Sequence, residues 1–181
     1  MNIKQFIFYN LIVLVMLVVS RFLSLPFDEA TSDLGNLLWF PIGAAILSYL
    51  LFGFKVFPGV LLGYIIAEMI IEGGVLDITQ REVLKRTASA LAPVISIGIM
   101  RMFTLSNFFD DEKINPGHIV FLIFLSAIIS TLLKALLIDN QLPDLDSYIT
   151  TYLIGDMIGG MIFIYMGIKV FTTFFAKKKL I

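Results

Sequence analysis

Six long apolar segments restrict this 181-residue chain to membrane architectures. They lie at roughly 6–25, 36–53, 57–72, 86–103, 118–138 and 149–175, with short connections between them. About 20 apolar residues in an α-helix cross a bilayer core about 30 Å thick. Charged residues make up only 15% of the chain, and they fall mainly between the apolar segments. We therefore predict an all-α polytopic transmembrane bundle of about six spans, forming a single integral membrane domain over residues 1–181.

The composition argues against several functional classes. The chain is 59% apolar, more than a water-soluble core of this size could hide, so the lipid bilayer is the expected partner. It contains no cysteine, which removes thiolate catalysis and cysteine-based metal sites, and one histidine, His118, is too few for a histidine cluster. A net charge of -1 gives no electrostatic footprint for nucleic acid. We expect no catalytic residues, no metal and no cofactor.

The distribution of charges in the connections predicts the orientation. Lysines and arginines are enriched in cytoplasmic loops. With a cytoplasmic amino terminus, the inner positions carry Lys4, Lys55, Lys113 and Lys177 to Lys179, and the outer ones carry Arg81, Lys85 and Arg86. The first and fifth connections bear acidic residues without any lysine or arginine: Asp28, Glu29, Asp33, Asp139, Asp144 and Asp146. We expect both termini in the cytoplasm and the first segment to be retained, because Val18 to Arg21 is a poor cleavage site.

Glycine, proline and small residues predict the turns and the close contacts. Gly53 to Gly59, with Pro58, reads as a tight turn that makes a helical hairpin of the second and third segments. Residues 81–86 read as an amphipathic approach to the fourth segment. Small residues at four-residue spacing let helix backbones approach. They are Gly59 and Gly63; Ala88, Ala92 and Ser96; and Gly155 and Gly159. We expect packing within the bundle, with dimerisation as the alternative.

Three charged residues fall inside apolar segments: Glu68, Lys134 and Asp156. An unpaired charge in a bilayer is costly, so each should face the bundle interior or water. With a rise of about 1.5 Å per residue, all three fall in the outer half of the membrane. We predict that Asp156 lies against Lys134, with Arg86 as the second choice of partner.

A polar face accompanies these charges. Ser126, Ser130 and Lys134 recur every four residues, which places them on one inward face of the fifth helix. The candidate ligand or ion-pair residues are Trp39, Glu68, Arg86, Lys134 and Asp156. We expect a polar, outward-facing cavity whose rim is completed by Arg21, Trp39, Lys85 and Arg86. Three plainer readings stay open. The charges form only a structural ion pair; Trp39 is an interfacial anchor; and Arg21, Lys85 and Lys169 extend their charged ends to the membrane surface.

Three motifs resemble the first family of bacterial membrane-associated sensor domains, the membrane inputs ahead of diguanylate cyclases and histidine kinases. Trp39 to Gly43, with Pro41, resembles the family's Trp-Pro-Pro-x-Gly motif, although Phe40 replaces the first proline. Gly53 to Gly63 resembles its glycine, basic, Pro-Gly, glycine hairpin. Tyr152 to Gly159 resembles its closing aromatic, Gly-Asp, glycine motif. The resemblance covers roughly 36–103 and 149–170.

The resemblance implies a sensor-like domain of the bacterial inner membrane that binds a small ligand or a membrane partner. Family members generally carry more spans and a cytoplasmic output domain, whereas this sequence has no cyclase, kinase or phosphodiesterase motif, so we expect a separate protein partner. The size and span count are also similar to the substrate-binding components of energy-coupling vitamin transporters. A structural subunit of a membrane complex is the third hypothesis.

Overall fold

The computed structural model describes residues 2–28, 38–74, 79–105, 115–136 and 145–175. Within these residues the secondary structure consists of six α-helices and two 3₁₀ turns, at Leu25–Phe27 and Phe54–Val56. The helices are α1 (Ile3–Ser24), α2 (Phe40–Phe52), α3 (Phe57–Glu72), α4 (Gln80–Met102), α5 (Pro116–Leu136) and α6 (Leu145–Phe175). Five of these six are long and apolar enough to cross a membrane. The predicted all-α bundle is confirmed.

The short helix α2 forms the centre of the bundle. Its 13 residues extend about 20 Å, less than the hydrocarbon thickness of about 30 Å. Every residue from Phe40 to Tyr49 is buried, and α2 contacts each of the other five helices. Because protein rather than lipid surrounds it, its ends need not reach the membrane surface. Its amino-terminal end therefore lies inside the bundle, next to the site described below.

Contacts at the helix ends show that consecutive helices alternate in direction. The amide of Gly59 donates to Asn10 Oδ1 (2.7 Å) and Arg21 pairs with Glu68, so α1 and α3 run parallel. The Trp39 amide donates to the Gly155 carbonyl (3.0 Å). Further along, a Cβ built on Gly167 would touch Leu47, so α2 runs parallel to α6.

The beginning of α1 and the end of α6 consequently lie on the same side of the bundle. The amide of Phe40 donates to Ser24 Oγ (3.1 Å), and the rings of Tyr9 and Phe52 stack at 5.0 Å. Helix α2 thus runs antiparallel to α1. Since α6 runs parallel to α2, it ends on the side where α1 begins. This agrees with the prediction that the two termini share a side.

Two local expectations differ from the structure. The chain does reverse at Gly53, whose φ of +72° favours glycine, but α2 packs mainly on α6 and α3 mainly on α1. The predicted hairpin is therefore a tight turn between helices with different main partners. Residues 81–86 are the first turns of α4 itself, which begins at Gln80 after the cap that Thr79 provides. The side chain of Thr79 caps the first turn, so the helix begins at Gln80 although residues 81–86 are polar.

A reporter enzyme fused after residue 181 is expected to be active only in the cytoplasm, because lysines favour that side for the termini. The measurement compares a phosphatase, active outside the cytoplasm, with a fluorescent protein, active inside it. A matched fusion in the first connection should give the opposite pattern. Phosphatase activity from the carboxyl-terminal fusion would invert the orientation.

The residues Glu29, Asp33, Lys113, Asp139, Asp144 and Lys177 to Lys179 lie outside the described part of the chain.

Candidate functional site

The amino-terminal end of α2 is held against α6 by a backbone contact that requires glycine. A Cβ built on Gly159 would lie 2.5 Å from the backbone N and C atoms of Trp39, closer than real Cβ contacts. Gly43 lies in the same way against Gly160, with 2.8 Å from its built Cβ to the Gly160 carbonyl oxygen. Pro41 fits because an amide is dispensable in the first turn of a helix. The first and third sequence motifs therefore pack directly on each other.

The second motif supports the neighbouring contact between α1 and α3. A Cβ built on Gly59 would lie 2.5 Å from the Asn10 carbonyl oxygen, and one on Gly63 would lie 2.6 Å from Leu17 Cβ. Pro58 occupies the first turn of α3. The expectation that Gly59 and Gly63 pack within the bundle is confirmed. Their close approach brings the far ends of α1 and α3 together.

Glu68 lies at that far end, between two arginines. Its Oε1 atom is 2.9 Å from Arg21 Nε and 2.9 Å from an amino group of Arg86. Arg21 also binds Asp28 through both amino groups, at 3.2 and 2.9 Å. Glu68 is 3% exposed and Arg21 is 6% exposed, so the two members of this ion network on α1 and α3 are shielded from solvent. Such networks depend on each member, because removing one leaves an uncompensated buried charge.

A second buried pair joins α5 to α6. Lys134 Nζ lies 3.5 Å from Asp156 Oδ2, and both side chains are essentially inaccessible. The prediction that these residues meet is confirmed, while the second-choice partner Arg86 binds Glu68 instead. Ser126 and Ser130 are fully buried on the same face of α5, as their spacing predicted.

The indole of Trp39 connects the two ion networks. The guanidinium carbons of Arg21 and Arg86 each lie 4.9 Å from its ring centroid, and Lys134 Nζ lies 5.8 Å from it. Cations within about 6 Å of a tryptophan ring are attracted to its face. The ring thus helps three cations to share one buried region. We call the group the Trp39 cluster, and it consists of Arg21, Trp39, Glu68, Arg86, Lys134 and Asp156.

Several buried polar side-chain atoms lie in and around the cluster. Within the described residues, several buried polar atoms on its helices have no hydrogen-bond partner. They are Arg86 Nε, Ser89 Oγ, Ser126 Oγ and Thr131 Oγ1. Buried polar groups normally find a partner in protein or ordered water. These atoms make the surroundings of the cluster polar although they are buried.

All five sequence-predicted site residues belong to this cluster, but two of the plainer readings are wrong. Trp39 is 5% exposed and central, because it precedes the buried helix α2, so it is not an interfacial anchor. Arg21 does not extend to the membrane surface, because Glu68 and Asp28 bind it inside the bundle. Lys169, by contrast, is exposed.

The sequence analysis placed Arg21 at the rim but not among the candidate site residues, and it missed Asp28 and Tyr64. Arg21 shares a face with Ser20 and Ser24 at helical spacing, a polar stripe in an otherwise apolar helix that could have indicated an inward face. Tyr64 precedes Glu68 by four residues, on the same face of α3. Asp28 carries no local signal, since only the turn at Leu25–Phe27 brings it back to Arg21.

Apolar grooves on the outer surface of the bundle have different chemistry. One, of about 240 Å³, lies between α5 and α6 and is lined by residues such as Ile119, Ile123 and Ile164. Another, of about 290 Å³, lies between α1 and α3. Both are lined almost entirely by apolar side chains. No group of three or more histidine and carboxylate side chains that could hold a metal ion occurs in the part of the chain that the structure describes.

The fold and the cluster define a polytopic α-helical membrane protein with a desolvated ionic centre at one end of its bundle. No protein-family model matches the chain, and neither a curated protein nor a solved structure matches it. The geometry of the Trp39 cluster therefore carries the functional proposal.

Replacing Gly159 by alanine is expected to destabilise the fold by about 1–3 kcal/mol, because the new methyl group meets the backbone of Trp39. Gly98→Ala is the matched control, since a Cβ at that helical position meets nothing within 4 Å. The free energy of unfolding, measured by detergent titration in mixed micelles, distinguishes the two. Equal effects of both substitutions would contradict the close contact between α2 and α6.

Proposed function

We propose that this protein is a sensor-like integral membrane domain that binds a small polar ligand at the Trp39 cluster and has no catalysis of its own. The observation that carries the proposal is the convergence of charged side chains from five helices around the indole of Trp39, which immediately precedes the sixth helix, α2. A packing role alone is better served by apolar side chains, because buried ion pairs contribute little net stability. Two of the three motifs that resemble the sensor family, Trp39 to Gly43 and Tyr152 to Gly159, pack on each other at this point, which supports the same reading.

The geometry offers a route from the cluster to a protein partner. Asp156 lies on α6, whose 31 residues extend about 46 Å, longer than the hydrocarbon core. A ligand that shifts Asp156 would therefore move a helix that ends on the opposite side of the bundle. The lysines favour a bacterial inner-membrane protein with both termini in the cytoplasm. The carboxyl-terminal end of α6 then faces a cytoplasmic or membrane partner.

The single tryptophan of the chain provides a direct test, because its fluorescence reports on the cluster without a label. The purified full chain in lipid nanodiscs is titrated with a library of polar metabolites while Trp39 emission and the thermal unfolding midpoint are recorded. The double variant Lys134→Met with Asp156→Asn is the matched control, since it removes two opposite charges together. We expect at least one compound to shift both readouts in the wild type and neither in the double variant.

The opposite outcomes are equally specific. If every compound that shifts the wild type also shifts the double variant, binding does not involve the cluster. If no compound shifts either protein and the double variant is at least as stable as the wild type, the cluster is a packing feature, and the structural-subunit hypothesis replaces the sensor.

A further inference from the structure

We infer that the ligand of the Trp39 cluster carries a carboxylate, which replaces the Asp28 side chain on the guanidinium of Arg21. This inference rests on the proposed function, because it names the chemistry of a ligand at the same cluster. It follows from the way in which Arg21 divides its hydrogen bonds between two carboxylates of different character.

The two carboxylates differ in burial and in the element that holds them. Glu68 is on α3, its side chain is 5% exposed, and it accepts from Arg21 Nε. Asp28 follows the 3₁₀ turn after α1, its side chain is 29% exposed, and it accepts from the two amino groups of Arg21. The two amino groups of Arg21, which form a bidentate fork, are thus bound by Asp28, the more accessible of the two carboxylates. A fork of two parallel hydrogen bonds matches a planar carboxylate.

The charge balance around the fork favours an anion once Asp28 withdraws. The described cluster and Asp28 together hold three cations, Arg21, Arg86 and Lys134, against three carboxylates. Displacement of Asp28 leaves one positive charge uncompensated in a desolvated region, and a ligand carboxylate restores the balance. A neutral ligand would leave a buried charge unpaired.

A buried donor beside the fork points to the same chemistry. In the part of the chain that is described, Arg86 Nε is a buried donor without an acceptor. This group can only donate, and the Arg86 side chain shares Glu68 with Arg21. A ligand with a carboxylate supplies acceptors, whereas a ligand that only donates does not. Asp28 therefore acts as an internal competitor for the ligand.

Acetate, acetamide and phosphate are suitable probes, because acetate and acetamide differ in charge but hardly in shape. Each is titrated into the full chain in lipid nanodiscs at constant ionic strength, with Trp39 emission as the readout. For Asp28→Asn we expect the apparent dissociation constant for acetate to fall about tenfold. This factor applies if Asp28 occupies the fork about nine-tenths of the time in the wild type, because only the remaining tenth can then bind acetate. The acetamide response should not change.

Two further variants complete the test. Glu82→Gln removes a carboxylate that lies beside Glu72 at the same end of the bundle, and it should leave acetate binding unchanged. Arg21→Lys keeps the charge but removes the fork, and it should weaken acetate binding at least tenfold. Thermal unfolding of each variant verifies folding, and Asp28→Asn keeps the test decisive if Arg21→Lys does not fold.

Several results would overturn the inference. An unchanged acetate constant in Asp28→Asn, or an equal gain in Glu82→Gln, would show that Asp28 does not compete at the fork. An acetamide or phosphate response as strong as that to acetate would reject the carboxylate class while leaving a polar-ligand site in place. No acetate response in any variant also rejects the inference, and the metabolite titration with the Lys134 and Asp156 double variant still tests the proposed function separately.

Discussion

Replacing Asp156 by asparagine is expected to lower the free energy of unfolding by about 3–5 kcal/mol, because Lys134 is left as an uncompensated buried charge. Adding Lys134→Met should then restore much of the lost stability, since the second change removes the orphaned ammonium and replaces it with an apolar chain of similar length. Unfolding in mixed micelles, with each single variant and the double variant, gives the coupling energy of the pair.

The control for this cycle is a pair that does not touch. Lys169 lies on the same helix as Asp156 but is exposed, so Lys169→Met should behave additively with Asp156→Asn. If Lys134→Met is also merely additive, the two side chains do not form a direct pair. A double variant that folds but no longer responds to ligands would assign the pair a role in binding as well as in stability.

A second large effect is expected at Glu68. Glu68→Gln should lower the free energy of unfolding by about 3–5 kcal/mol, because Arg86 then loses the carboxylate that it binds and Arg21 keeps its pair with Asp28 alone. Combining it with Arg86→Met should recover part of the loss by removing the cation that has lost its carboxylate. The same detergent titration measures each step.

The neighbouring carboxylate Glu72 provides the matched comparison, one turn further along α3. It is partly exposed and lies beside Glu82, so Glu72→Gln should leave the stability unchanged or raise it slightly, by about 0.5 kcal/mol at most. If Glu68→Gln is no more destabilising than Glu72→Gln, the bridge between Arg21 and Arg86 does not hold α1, α3 and α4 together.

The role of α2 explains why the motifs at Trp39 and Gly159 belong together. A helix of 13 residues cannot cross the bilayer alone, so it depends on the helices around it to keep its polar ends away from lipid. Its amino-terminal end is closed by the Ser24 hydroxyl and by the Gly155 carbonyl, which accept the amides of Phe40 and Trp39. The tryptophan is thereby fixed where the charged residues of the surrounding helices meet.

The sequence alone determined the number of helices, their approximate positions and the inward direction of Glu68, Lys134 and Asp156. The reason is that lipid imposes a strict rule: apolar stretches of about 20 residues form spans, and charges within them turn away from lipid. For the same reason the depths of Lys134 and Asp156, counted along their helices, were enough to predict their contact. The five candidate site residues came from this rule and from the position of Trp39.

The tertiary structure decided what no local pattern contains, namely which helix packs on which and which charge binds which partner. Arg21 at a span end is compatible with either the membrane surface or the interior, and only the close packing of α1 on α3 at Gly59 and Gly63 places it against Glu68. Asp28 reaches Arg21 only because the chain turns back after α1. Such contacts join residues far apart in sequence, so their energies depend on a geometry that helical spacing and hydropathy leave open.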